Sequence, residues 1–535
     1  VYIGQRLDGM MNREGQDGFG EQERMVRTWF GLLRQAEPSS RLIETHVSWI
    51  VISGQYAYKI KKALYLDFLD YSDLATRRFY CREEIRLNRR TAPEIYLDVI
   101  QIGGDRSAPQ LRADPPLEYA VRMRYFENDR QLDRLIERDV LDASHIDRLA
   151  DAVGDFHASL QALPEEANNA HYGAADVQLH LVAENLQEVR KRLIDPDDIA
   201  LWDEVKHAQI AEFMACRDWF AKRQRGGFVR ECHGDLHMGN LVEIGGKVVL
   251  FDGIDFSPEY RWMDVMNDAA FAFMDLLHYG KNALAWRFLN RYLEKTGDYE
   301  GVALLRFYAA YRATVRANVR LICLSQAGAS MASDGVVRRY LRLARDLLVR
   351  RRPALVLTMG LPGAGKSVFA RMAVGELHGI CLRSDIERKR FAMDDASRYS
   401  ENSRLQVYEH LLAKADVLLM AGMTVIVDAA FLRHSLRDMF AKLAKKRSIP
   451  FAIAWVVASL DTLYRRVTER QRLGSDVSEA GPEVLTLLKD RMEAPLPDEK
   501  AVTVRFVNEG PSGLDAAAPQ WQTLRQLTGQ RPARL

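Results

Sequence analysis

The sequence predicts an α+β unit followed by an α/β unit, with the break near residue 350. Three observations predict it. Strand-like runs open the first part and long helical stretches fill the rest of it. From residue 353 the pattern changes to strand, loop and helix, repeated, which implies a parallel sheet with helices on its faces. The chain has 535 residues, enough for three or four folding units at about 150 residues each.

The elements follow in order. ETHVSWIVI and QYAYKIKK alternate apolar and polar residues, and Ser53-Gly54 between them fits a hairpin turn. DLATRRFYCREEIRLNRRTA reads as a helix stopped by Pro93, and LEYAVRMRYF as a further strand. Residues 131–225 space their apolar positions three and four apart, as helices do. GGFVRECHGDLHMGNLVEIGGKVVLFDGIDF reads as short strands around a Gly-Gly turn, and helices resume from about 264 to 350. The last of them, VVRRYLRLARDLLVRRRP, places Val337, Tyr340, Leu341, Ala344, Leu347 and Leu348 on one face; its arginines either bind phosphate or nucleic acid or form a solvated face leading to a boundary at Pro353. ALVLTMG, TVIVDA and FAIAWVVA are the β-rich runs of the second part, each leading into helix.

Composition excludes several classes. Apolar residues are 47% and charged residues 28%, so the chain is neither disordered nor fibrous. Seventy-five basic residues stand against 73 acidic ones, which gives no support for a nucleic-acid or membrane-surface partner. Five cysteines are scattered without a CxxC pair, as expected of reduced thiols in a cytoplasmic protein. No apolar run reaches a membrane span of about 18 residues. The polar, Gly-rich opening lacks a signal core and is expected to be a loose tail over 1–24, ahead of a natural start at Met10, Met11 or Met25.

Gly360 to Ser367 spells GLPGAGKS, a GxxxxGK[ST] phosphate loop between a strand and a helix. Glycines at 360, 363 and 365 let the backbone curl so that its N–H groups face phosphates. Lys366 is expected to reach the β- and γ-phosphates of ATP, and Ser367 to hold Mg²⁺. Asp385, in CLRSDIERKR, is either the base for a substrate hydroxyl or a helix cap. Asp428 ends TVIVDA beside the loop, where it binds Mg²⁺ through water, orients substrate or caps a loop. Arg466 and Arg470 share a helical face and either neutralise the transferring phosphoryl group or stay at the surface.

These motifs carry a resemblance. GLPGAGKS with LRSDIERKR, VIVDAAFLR and the arginine-bearing helix resembles the P-loop kinases related to zeta toxins and chloramphenicol phosphotransferase, over about 353–510. That resemblance implies Asp385 as the residue acting on the acceptor hydroxyl and an Arg-bearing lid at roughly 462–495 within a domain of 353–535. CHGDLHMGN, Cys232 to Asn240, followed by Asp252 in VVLFDGIDF, resembles aminoglycoside phosphotransferases and the choline and methylthioribose kinases. It implies Asp235 as catalytic base, Asn240 and Asp252 as Mg²⁺ ligands, and Asp255 as a second acidic residue near the metals or a turn carboxylate. His233 and His237 are expected to be structural, and Asp264 or Asp268 to brace the loop. Lys59 fits the kinase lysine that grips the α- and β-phosphates, with Glu84 or Glu83 as its ion-pair partner. Adenine is expected at the backbone of Met123 to Tyr125. The family's Gly-rich loop is missing; Thr45 to Ser48 takes its place, with backbone amides or the Ser48 hydroxyl as substitutes.

The whole chain resembles a bacterial family that fuses these two domains. The implied architecture is a bilobal protein-kinase-like fold over 25–350 (small lobe about 40–125, large lobe about 126–335, linker helix about 336–352) and then the P-loop domain. The implied function is ATP- and Mg²⁺-dependent phosphoryl transfer to small-molecule hydroxyls in both halves. The alternative is a nucleotide sensor in which one domain controls the other.

Overall fold

The computed structural model describes residues 13–45, 47–66, 69–164, 171–326, 334–390, 401–473, 481–510 and 514–529. The chain forms two compact units, Val1–Gly280 with Leu304–Leu348, and Lys281–Ala303 with Val349–Leu535. Among the described residues no helix is long and apolar enough to cross a membrane.

The first unit opens with a six-stranded sheet of β1 (Arg41–Glu44), β2 (Ser48–Ser53), β3 (Tyr56–Lys61), β4 (Tyr96–Asp105), β5 (Ala108–Leu111) and β6 (Pro116–Arg124). Its antiparallel order is β1-β2-β3-β6-β4-β5. Side chains alternate across the sheet, and both faces are covered. Trp49, Val51, Tyr58 and Ile60 pack beneath helix α1 (Arg13–Ala36) with Met25, Val26 and Trp29. Ile52, Ala57 and Val121 face helix α2 (Leu74–Asn88) with Cys81 and Ile85. Period-two alternation therefore points Lys59 and Lys61 to the α2 side.

Helix α1 corrects the expected tail for residues 13–24; residues 1–12 lie outside the described residues. Gln22 is buried and ties α1 to the sheet: its Nε2 donates to the Lys61 carbonyl at 2.9 Å, and its Oε1 accepts from Ala63 N at 2.7 Å. The glycines weakened the sequence signal, but the apolar stripe behind them has a sheet face to cover.

Beyond the sheet lies a helical lobe holding a small hairpin, Leu241–Ile244 against Lys247–Leu250, turned by Gly245 and Gly246 at φ 56° and 76°. Helix α3 (Val265–His278) runs through its centre, with nearly every residue from Val265 to Leu276 buried.

The second unit is a five-stranded parallel sheet. Its strands are β7 (Leu355–Met359), β8 (Gly379–Arg383), β9 (Thr424–Asp428), β10 (Phe451–Val457) and β11 (Thr503–Val507), in the order β8-β9-β7-β10-β11. The chain leaves β7 towards one edge and later returns to the other. A crevice therefore opens at the carboxyl ends of β7 and β9, where parallel sheets bind ligands. Phe369, Phe506 and Trp521 fill the core on one face, with Phe369 and Trp521 stacked at 5.0 Å.

A segment distant in sequence guards the edge of this sheet. Helix Asn282–Thr296 belongs to the second unit, and its Asn290 donates to Gly379 O at 3.0 Å and accepts from Cys381 N at 2.7 Å. The amide side chain mimics a neighbouring strand and occupies edge groups that would otherwise invite pairing.

Candidate active sites

In the first unit the charged groups converge between the sheet and the helical lobe. Lys59 Nζ lies 2.9 Å from Glu84 Oε1 and 2.5 Å from Asp252 Oδ1. Glu84 is the partner the geometry selects, because Glu83 turns to Arg86 at 2.8 Å. Lys61 bonds the other Glu84 oxygen at 2.7 Å and also Asp255. Burial alone would raise the Glu84 carboxyl, but Lys59 and Lys61 outweigh it and hold the group at about 2. Burial likewise opposes the Lys59 ammonium, yet Asp252 and Glu84 push its pKa well above the ordinary lysine value. Asp255 is thus engaged by a buried lysine, a pairing the sequence reading did not anticipate.

The Cys232–Asn240 loop is held from below by α3. Asp268 accepts from the amides of His233 and Gly234 at 3.0 and 2.9 Å and lies 3.1 Å from His157 Nε2. Of the two bracing candidates, Asp268 fastens the loop; Asp264 instead pairs with Arg223. His157, Cys232 and Asp268 lie close enough to suggest a metal site. The amide bonds to both Asp268 oxygens make this group a brace. His233 Nε2 sits 2.9 Å from the Phe251 carbonyl, and His237 Nδ1 accepts from Gly239 N at 3.1 Å.

This bracing presents Asp235 and Asn240 together. Asn240 Nδ2 donates to Asp235 Oδ2 and to the Asp235 carbonyl, both at 3.0 Å. Burial would raise the Asp235 carboxyl, but His237, Arg316 and His233 outweigh it and hold it below the usual carboxylate range. Asp252 sits in the left-handed region at φ 60°, its amide donating to the Tyr96 hydroxyl at 3.0 Å. Gly253 N donates to Asn88 Oδ1 at 2.7 Å. Such a backbone is held only where its surroundings over-determine it, and that is common at functional sites. Asn240 spends its amide nitrogen on the loop, and Lys59 takes Asp252 Oδ1, which leaves Asn240 Oδ1 and Asp252 Oδ2 as oxygen donors. These oxygen donors fit a hard divalent cation such as Mg²⁺.

Met123 lies inside the ladder, paired with Ala57 on one side and Tyr96 on the other. The next two amides donate to protein carbonyls, Arg124 to Ile95 at 2.8 Å and Tyr125 to Gln55 at 2.9 Å. The next residue, Phe126, packs edge-on against Phe251 at 5.1 Å. Ser48 is buried in a tight turn, and its amide is already spent on Thr45 Oγ1 at 3.0 Å. The Ser48 hydroxyl is buried without a hydrogen-bond partner among the described residues, and His46 lies outside them.

In the second unit the glycines of GLPGAGKS meet the expectation of a curled loop. Gly360, Gly363 and Gly365 have φ of 150°, 81° and 96°. A Cβ at Gly365 would come within 2.2 Å of Asn508 Nδ2, and one at Gly360 within 2.3 Å of the Val456 carbonyl. The cradle therefore admits only glycine at these positions and fits a phosphate chain. Helix α4 (Lys366–Leu377) starts directly after it.

The cradle opens into a cavity of roughly 940 Å³. Lys366, Ser367, Asp385, Asp428, Arg466 and Arg470 all line it. Lys366 Nζ donates to Leu361 O at 3.1 Å. Burial lowers its pKa, Asp428 and Asp385 raise it, Arg470 lowers it again, and the net position is below an ordinary lysine. Asp428, at the carboxyl end of β9, lies 3.5 Å from both Arg383 Nε and Thr358 Oγ1. Asp385 is in the first turn of helix α5 (Ser384–Arg390), 3.7 Å from Arg388 Nη1. Arg466, on helix α6 (Leu460–Leu473), reaches the Gly363 carbonyl at 3.4 Å. Of the expected lid, residues 474–480 lie outside the described residues, and helix Pro482–Asp490 supplies cavity wall.

Residues 104–305 match the phosphotransferase enzyme family, and residues 355–495 match the AAA domain family. An uncharacterized protein of Mycobacterium tuberculosis is 30% identical over 456 residues, 83% of this chain and 88% of that protein. The chain belongs to the family that joins these two domains. Among solved structures, choline kinase from Cryptosporidium parvum is 12% identical and covers 60% of this chain and 96% of its own (TM-score 0.38). The Mycobacterium tuberculosis APS kinase CysC is 21% identical and covers 34% and 99% (TM-score 0.26). This phosphotransferase–AAA chain carries an α+β domain of the phosphotransferase enzyme family and a parallel-sheet AAA domain with a phosphate loop.

The sequence reading missed several charged groups of the phosphotransferase–AAA chain. Arg316 acts on Asp235 and Asp275 electrostatically and lies 3.4 Å from the Tyr340 hydroxyl. No motif marks it, since RATVRANVRL reads as plain helix. Near it, His278 stacks on Tyr340 at 3.8 Å. Burial, with Arg339 and Arg316, lowers His278 to about 4 although Asp275 favours its cation. The folded value is below the unfolded one of about 6.5, so the unfolded chain binds the proton more readily. Stability from this group is full above about 6.5 and falls as pH drops towards 4. Thermal melts between about pH 7 and 4.5 should show a smaller loss for His278→Gln than for the parent; equal losses would remove the assignment.

Proposed function

We propose that both units are ATP- and Mg²⁺-dependent kinases acting on small-molecule hydroxyls. One observation carries the reading: each unit gathers a lysine, oxygen donors suited to a metal and a further aspartate in one place, and the second unit adds a glycine cradle. In the first unit these are Lys59 with Glu84, Asn240 with Asp252, and Asp235. In the second they are Lys366 in its cradle, Ser367 with Asp428, and Asp385.

MgATP, when bound, supplies the γ-phosphoryl group and an electrophilic phosphorus screened by the metal. The residues do the rest. Lys59 is oriented by Glu84 and set to leave Asp252 for a phosphate, freeing that carboxylate for the cation. Asp235, kept ionised by His237 and Arg316, receives the acceptor proton. Arg466 and Arg470 face the phosphate loop of the second unit, where they neutralise charge on the transferred group.

The test is calorimetry of the full chain with Mg²⁺ and a non-hydrolysable ATP analogue. The expected stoichiometry is close to two. A stoichiometry of one would remove the dual-kinase reading and favour a sensor role for the half that fails to bind.

A further inference from the structure

Helix Asn282–Thr296 does more than cover an edge. Four residues of helix rise about 6 Å and two residues of strand span about 6.6 Å, so every fourth helical position keeps step with alternate positions of a strand lying beside it. The contacts follow that match. Trp286 stacks on His378, just before β8, at 5.8 Å. Asn290 takes the backbone of Gly379 and Cys381 within β8. Glu294, one turn further on, meets Arg383 at the carboxyl end of the same strand, with Oε2 3.7 Å from Nη1.

Arg383 in turn stands beside Asp428. The two residues are register partners at the ends of β8 and β9, and Arg383 Nε lies 3.5 Å from Asp428 Oδ2. The guanidinium therefore has one carboxylate from the helix and one from the neighbouring strand. Its Nε is buried without a hydrogen bond among the described residues, so attraction between charges holds it here and it is free to lean to either partner. The side chains of Glu294, Arg383 and Asp428 are 13%, 14% and 5% exposed, and water and salt screen these attractions only weakly.

Asp428 also lines the cavity beside the phosphate loop, with Lys366 and Ser367. A nucleotide-bound Mg²⁺ calls on such oxygens, and an arginine on the same carboxylate competes with it. We propose that Glu294 is a positioning residue of the second unit: it draws Arg383 off Asp428 and leaves that carboxylate to the metal. The proposal rests on the nucleotide reading of this unit and deepens it. Without the Glu294 charge, Arg383 turns wholly to Asp428, and a divalent cation has to displace it. Glu294 stands far ahead of the phosphate loop in the chain yet belongs to the second unit, so no motif around that loop announces it.

The test is calorimetry of the full chain with the non-hydrolysable ATP analogue over a series of Mg²⁺ concentrations. The second site is the binding that Lys366→Ala removes. Glu294→Gln should raise the Mg²⁺ concentration for half-maximal binding at that site by about tenfold, the scale of one weakly screened charge pair. At saturating Mg²⁺ the analogue should bind within about threefold of the parent, and the melting temperature should stay within about 2 °C. Glu294→Gln combined with Arg383→Gln should return the Mg²⁺ dependence to within about threefold of the parent, because the competitor is gone. Arg383→Gln alone should leave it at or below the parental value, and this variant decides the matter if Glu294→Gln does not fold. An unchanged Mg²⁺ dependence in Glu294→Gln, a rise that the double variant retains, or a rise in Arg383→Gln would each overturn the proposal. If the parent itself binds the analogue in the first unit alone, the nucleotide reading of the second unit falls and the proposal with it.

Discussion

Asp235→Asn is expected to lower phosphoryl transfer in the first unit by about 100- to 10,000-fold, the range for losing a positioned general base. The substitution keeps the shape and one oxygen for Asn240 Nδ2, now 3.0 Å from Asp235 Oδ2. It removes the charge that His237 and Arg316 stabilise. Nucleotide affinity should stay within a few-fold, because Lys59, Glu84 and Asp252 form a separate network on the sheet side of the site. Single-turnover transfer and nucleotide titration, run side by side, separate chemistry from binding. Near-parental transfer by this variant would make Asp235 a structural residue and remove it from the chemistry. Asp268→Ala provides the contrast. It releases the amides of His233 and Gly234, so it should lower the melting temperature as well as the rate.

Lys366→Ala is expected to lower transfer in the second unit by about 100- to 1000-fold, the scale for removing one preorganised donor to developing charge. Lys366 is the cation that follows the cradle directly, with Asp428 and Asp385 favouring its ammonium. Calorimetric stoichiometry should fall from near two to near one, and the first unit should keep its full transfer rate. Loss of both sites from this one change would show that the halves share a single nucleotide. An unchanged stoichiometry with full activity would show that the cradle does not serve phosphate.

Much of both sites was legible in the chain because contiguous motifs encode them. GLPGAGKS states its own backbone: three glycines at positive φ are required where Val456, Asn508 and Leu463 crowd the loop. HGDLHMGN sets Asp235 and Asn240 on one short loop, so their 3.0 Å contact needs no distant information. The pairing of Lys59 with the 83–84 region was also within reach, since α2 follows the hairpin that carries Lys59. Glu84 was favoured over Glu83, and the helical rotation that separates the two turns Glu84 to the lysine.

The residues that escaped detection are those whose role comes from long-range contact. Gln22 looked like part of a polar tail until a sheet edge gave its amide two backbone partners. Lys61 and Asp255 are 194 positions apart, and Arg316 acts on Asp235 from a helix without a motif. Met123 reads as a hinge in a one-dimensional pattern, yet the ladder continues past it and takes the next two amides. Asn290 lies in a helix that sequence order assigns to the first half, but it closes the edge of the second sheet.

The sequence by itself determined the change of pattern near residue 350, the phosphate loop and the HGDLHMGN loop. Each is encoded by local periodicity or by residues within about ten positions of one another. Only the tertiary structure decided which carboxylate each lysine meets, which aspartate braces the HGDLHMGN loop, and which charged groups line the cavity beside the phosphate loop. Those outcomes depend on charges brought together from distant strands and helices, where burial magnifies each interaction and residue spacing along the chain carries no record of it.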